Sequence, residues 1–139
     1  MWLIAKAFAM RLMQLGLNVY FIGETISPQL TTNSCLIFVS SSGENDFINL
    51  IFGEIKEKNI KSLAIASSIK STLAKKSDNI VIISKKHDSN LTPLGTIFEI
   101  HSLIFLDDLI AELMEKLNKT EEYLKNRHES FSFADYKIV

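Results

Sequence analysis

Short continuous apolar runs alternate along the chain with longer stretches in which apolar positions recur every three or four residues. The first pattern predicts strands and the second predicts helices. Residues 3–15 read as a helix with Leu3, Ala7, Met10 and Met13 or Gln14 on its inner face, ended by Gly16. NVYFI (18–22) reads as a strand, GETISPQLTTN as a loop, and CLIFV (35–39) as a buried strand. Residues 45–58 form an amphipathic pattern: Phe47, Ile48, Ile51, Phe52 and Ile55 face inward, and Glu54, Lys56, Glu57 and Lys58 face water. SLAIA (62–66) and IVIIS (80–84) are further strands, separated by a serine turn and by STLAKKS, a short helix with a Ser or Thr cap. KKHDSNLTP is a polar loop. A long helix follows from Leu94 to about Leu117, then a second one capped by Thr120 and running past Arg127 and His128. The tail SFSFADYKIV has no clear period.

Strands that are continuously apolar and alternate with helices predict a parallel sheet covered on both faces, a three-layer α/β/α domain. The long helix is apolar nearly all round, which predicts burial on more than one side. In so small a domain part of that burial is expected from another subunit, so a homo-oligomer with the 94–117 helix in the interface is expected.

Composition narrows the function. At 139 residues the chain makes one domain, and its formal net charge of -1 argues against a nucleic-acid or anionic-membrane surface. Cys35, the sole cysteine, lies in an apolar run and is expected to be a small buried core residue in a reducing compartment. The apolar start is interrupted by Lys6 and Arg11, and the 94–117 stretch carries Glu99, His101, Asp107, Asp108 and Glu112. Neither reads as a signal peptide or a membrane span, so a cytoplasmic protein is expected. The three histidines show no ligand spacing, and no metal is expected.

The candidate chemistry lies at FVSSSGENDF (38–47), where a strand hands over to a helix. Ligands of parallel α/β sheets bind beyond the carboxyl ends of the strands. Serine hydroxyls, a glycine that lets the main chain come close, and the unpaired amides of a helix start make a phosphate cradle that needs little formal charge. The same residues also make an ordinary capped turn, and spacing alone leaves both readings open. A second serine turn, Ser67-Ser68, follows another strand on the same rim.

Taken together, AKAFAMRLMQLG followed by VYFIGETISP, then SSSGEN, then LTPLGTIFEIHSLIFLDDLIAELME and KTEEYLKNRH resemble the sugar isomerase (SIS) domain family, in particular its 6-phospho-3-hexuloisomerase branch. The resemblance implies a parallel sheet of flavodoxin-like order, with residues 1–130 as a single SIS domain and 131–139 as a tail. It implies that Ser40, Ser42 and Asn45 contact a sugar phosphate, with Ser67 helping. The family usually has Gly at the position of Ser41 and Thr at that of Asn45. It also has a strand and a glycine-serine turn before the AKAFAMRL helix, in whose middle this sequence starts. That strand lies between NVYFI and CLIFV, so a sheet of about four strands is expected here, in which those two close on each other or leave a slot. A misassigned start and a shortened paralogue both fit.

The implied reaction converts 3-hexulose 6-phosphate to fructose 6-phosphate through a cis-enediol without any cofactor. The resemblance makes Glu99 the base and His128 the proton shuttle, in a neighbour's site if its helix crosses an interface. His101 points away from Glu99, and His87 reads as surface. A homotetramer or homodimer is implied. The alternative is a catalytically impaired SIS module that binds a sugar phosphate or assembles with an intact paralogue.

Overall fold

A computed structural model describes residues 2–84 and 95–128. The expected polar loop with His87, the start of the long helix at Leu94, and the tail lie outside the described residues. The elements in chain order are α1 (Trp2–Gln14), β1 (Cys35–Val39), α2 (Asp46–Glu57), β2 (Lys61–Ala66), α3 (Thr72–Lys76), β3 (Asn79–Ile82), α4 (Thr96–Lys116) and α5 (Glu121–Asn126). The described strands form one parallel sheet in the order β1-β2-β3, with Leu36 opposite Ser62 and Ala64 opposite Ile80.

Strand alternation sorts the side chains into two cores. On one face Ile65 and Ile83 meet Ile4, Phe8, Leu12 and Leu15 of α1 and its end, and Phe98, Leu106 and Ile110 of α4. On the other face Leu36, Ala64 and Ala66 meet Ile48, Phe52 and Ile55 of α2 and Leu73 of α3. The three-layer α/β/α expectation is borne out. Three helices stop by one local device. The amide of Leu17 reaches Leu12 O (3.1 Å) and that of Gly16 reaches Met13 O (2.9 Å), with Gly16 at φ 90°. Asn59 and Asn118 do the same at the ends of α2 and α4, at φ 53° and 50°.

Several expectations need correction. NVYFI is not a strand: it has no regular structure and ends in a turn at Ile22, with Val19 packed on the first core and Ile22 on the second, so it crosses from one face to the other. It does not close on CLIFV, and β1 pairs only with β2 among the described residues. Apolar, β-branched composition favours a strand, but a ladder also needs a neighbour in register. In α1 the buried stripe is Ile4, Phe8 and Leu12, whereas Leu3 is 78% exposed and Met10 and Met13 also face out. That helix is apolar on two adjacent stripes, and periodicity cannot choose between them. Phe47 is exposed, because it lies in the first turn of α2, beyond the edge of the second core. Cys35 is exposed as well, since it opens the outer strand. α5 ends at Asn126, so Arg127 and His128 lie beyond the helix.

Candidate functional site

The ladder continues past the strand ends and builds the rim. Ser40 N–H donates to Ile65 O (2.9 Å), Ser67 N–H to Ser41 O (3.1 Å), and Ile83 N–H to Ala66 O (2.9 Å). Both serine turns therefore leave the sheet side by side, as their spacing suggested. Beyond Ser40 the chain turns into α2, and three side-chain oxygens accept from nearby amides. Ser40 Oγ accepts from Gly43 N–H (3.2 Å), Ser42 Oγ from Glu44 N–H (3.4 Å), and Asn45 Oδ1 from Phe47 N–H (2.9 Å). Asn45 is thus the cap of α2.

Capping and ligand binding are compatible here. A serine oxygen that accepts one bond still has its hydroxyl hydrogen to give, and an asparagine that caps with Oδ1 keeps both amide hydrogens. Among the described residues nothing takes those hydrogens from Ser40, Ser42 or Asn45. Asn45 stands at the positive end of α2, and Ser42 and Ser40 lie three and five residues before it in the loop that leads there. The arrangement can donate to an oxyanion without a formal cation.

Ser67 is placed differently. Its hydroxyl donates to Ser41 O (2.6 Å), so its hydrogen is committed to the neighbouring turn. Nor is the start of α3 open to an anion. Thr72 N–H donates to Glu44 Oε1 (2.7 Å), Leu73 N–H to Gly43 O (3.0 Å), and Ala74 N–H to Ser71 Oγ (3.2 Å). Gly43 is buried at φ 65°, where a Cβ would stand 2.6 Å from Ser71 Oγ. Sequence reasoning missed the part that Glu44 and Ser71 play. Their neighbours along the chain gave no signal, because each acts on a turn more than twenty residues away.

Glu99 lies in the first turn of α4, half-buried. The preceding residue, Phe98, is fully buried in the core that holds Ile65 and Ile83, near the carboxyl ends of β2 and β3. This anchors the first turn of α4 toward the rim that carries the serine turns. His128 is exposed beyond the end of α5. That helix docks at the carboxyl end of α1, where Arg127 Nε donates to Met13 O (3.4 Å) and Tyr123 Oη lies against Gly16. Glu99 and Lys116 are separated by about 25 Å of helix axis, and α5 begins only after that. His101 is exposed on α4.

A parallel three-layer sheet with a hydroxyl-rich rim at the start of a helix defines an α/β protein suited to binding phosphorylated ligands. The chain belongs to the SIS domain family, whose pattern matches residues 2–128. A relative from Methanocaldococcus jannaschii, named 3-hexulose-6-phosphate isomerase, is 38% identical over 125 residues, covering 90% of this chain and 68% of its own. An uncharacterized protein of Archaeoglobus fulgidus is 42% identical over 132 residues, covering 90% of this chain and 72% of its own. The crystal structure of a hypothetical protein from Methanococcus jannaschii, from which the function of a 3-hexulose-6-phosphate isomerase was inferred, superposes with a TM-score of 0.85. It is 35% identical and covers 94% of this chain and 72% of that one. These likenesses bear out the resemblance, the fold and the class of enzyme. No described helix is long and apolar enough to cross a membrane.

Proposed function

We propose that this protein is a cytoplasmic 6-phospho-3-hexuloisomerase, interconverting 3-hexulose 6-phosphate and fructose 6-phosphate. The observation that carries the reading is the set of uncommitted donor hydrogens on Ser40, Ser42 and Asn45, carried by the loop that leads from β1 into α2 on the ligand rim of the sheet. They hold the phosphate, and Ser67 supports them by fixing Ser41. The relatives named 3-hexulose-6-phosphate isomerase support the choice of substrate.

In the reaction Glu99 takes the proton from C2 of the 3-ketose, giving a cis-enediol between C2 and C3. It returns the proton to C3, while the hydroxyl proton on O2 is replaced by one on O3. The carbonyl moves from C3 to C2, so atoms balance and no net oxidation occurs. His128 moves the proton between the oxygens. Carried beyond the end of α5, it serves the site of a second copy. The outer flank of α4, with Ile100, Leu103 and Ile104 exposed, supplies an apolar surface for that contact, as a homodimer or homotetramer.

A second reading, an impaired module that binds a sugar phosphate or assembles with an intact paralogue, is favoured by Asn45, where the family usually has Thr. Turnover of 3-hexulose 6-phosphate by the purified protein decides. Glu99→Gln is expected to abolish it while leaving phosphate affinity unchanged, and full rate in that variant overturns the base assignment. Ser42→Ala is expected to raise the half-saturating concentration about ten-fold, the loss of one charge-assisted hydrogen bond. Binding without turnover in the wild type establishes the second reading.

A further inference from the structure

Between the two serine turns lies a tie made by residues distant in sequence. Ser67 uses both its amide and its hydroxyl on Ser41 O, at 3.1 and 2.6 Å. Leu73 N–H donates to Gly43 O at 3.0 Å, and Thr72 N–H to Glu44 Oε1 at 2.7 Å. The first three bonds use main-chain carbonyls of the first turn. The fourth alone depends on a side chain of that turn, and that side chain stands between Ser42 and Asn45, two of the three donors.

We infer that Glu44 is a positioning residue for the phosphate cradle: its carboxylate, held on the Thr72 amide, fixes the segment from Ser42 to Asn45 so that their donor hydrogens converge on one oxyanion. The inference rests on the cradle reading above. Two physical effects support it. First, Glu44 N–H is the group that orients Ser42 Oγ (3.4 Å), so rotation of the Glu44 main chain would misdirect that hydroxyl. Second, an untethered carboxylate beside the cradle would repel a phosphate dianion. Drawn onto the Thr72 amide at the start of α3 it is turned into a hydrogen-bond acceptor with a fixed direction. Hydrogen bonding from the Thr72 side chain, then from its amide, holds the Glu44 carboxyl below its ordinary value of 4.5, so it stays ionised throughout the neutral range. Lys75 adds a weaker attraction in the same sense.

The test compares Glu44→Ala, Glu44→Gln and Ser42→Ala, with inorganic phosphate in calorimetry and 3-hexulose 6-phosphate in turnover as probes. Glu44→Ala is expected to raise KM and the phosphate dissociation constant together by about ten-fold with kcat within two-fold of wild type, as for a lost charge-assisted hydrogen bond. Glu44→Gln keeps an acceptor oxygen and is expected to recover most of that loss. Amide exchange at Thr72 is expected to quicken in the alanine variant alone. Wild-type KM and phosphate affinity in Glu44→Ala, with Ser42→Ala impaired, overturn the positioning role and leave the cradle standing. A wild-type protein that binds no phosphate, or an unimpaired Ser42→Ala, removes the cradle and the positioning role with it.

Discussion

Replacing Gly43 by alanine tests how tightly the two turns are packed. At φ 65° the added Cβ would lie 2.6 Å from Ser71 Oγ, 2.7 Å from Ser71 Cβ and 3.0 Å from Leu73 Cβ. Holding the left-handed conformation costs an L-residue about 1 kcal/mol. Forcing the turns apart by several tenths of an ångström adds about 2 kcal/mol, the ordinary range for overpacking. Leu73 is fully buried and cannot give way, and Ser71 is held as the cap of α3. A total of about 3 kcal/mol corresponds to a fall in Tm of about 10 °C for a domain of this size. Urea unfolding followed by circular dichroism measures it. Ser71→Gly removes two of the three close atoms and, at a cap position, itself costs under about 1 kcal/mol. The Gly43→Ala/Ser71→Gly double variant is therefore expected to be more stable than the sum of the single effects by about 1–2 kcal/mol. Additive effects within about 0.5 kcal/mol would refute the steric argument.

Two further outcomes are expected. Asp78 accepts from both the amide and the hydroxyl of Ser62 at 2.8 Å, and this bonding, with a smaller pull from Lys61, holds its carboxyl below the ordinary 3.8. A carboxylate depressed in the folded state contributes stability that is fully present above its unfolded value and is lost as pH falls through the folded one. Asp78→Asn should thus show its full deficit at pH 5 and above and converge on wild type in increasingly acidic urea titrations; a deficit that does not change with pH contradicts the assignment. Ile104→Lys, at a position 61% exposed on α4, is expected to lower the molar mass seen by light scattering without lowering Tm in the dissociated state, and an unchanged mass removes α4 from the interface.

Much of the fold could be read from residue patterns because it rests on local chemistry. The alternation of apolar runs and helical periods set the α/β class. Asn45, Ser71 and Thr120 each cap the helix that follows, as their types require. The run SSSGEN announced a hydroxyl-rich rim, and the rim is there.

Tertiary structure decided what depends on a partner distant along the chain. NVYFI has the composition of a strand and joins no ladder among the described residues. Two apolar stripes of α1 were equivalent until α4 and the sheet covered the one with Ile4, Phe8 and Leu12. Cys35, in an apolar run, is exposed because β1 lies at the edge of the described sheet. Ser67 read as a helper at the phosphate, and the fold bonds its hydroxyl to Ser41 O, 26 residues back. Glu44 gave no signal along the chain, and Thr72, 28 residues on, made it a tie between two turns. A sequence states which groups a residue carries; which of them stay free for a ligand is settled only when the fold has brought every competitor within hydrogen-bonding reach.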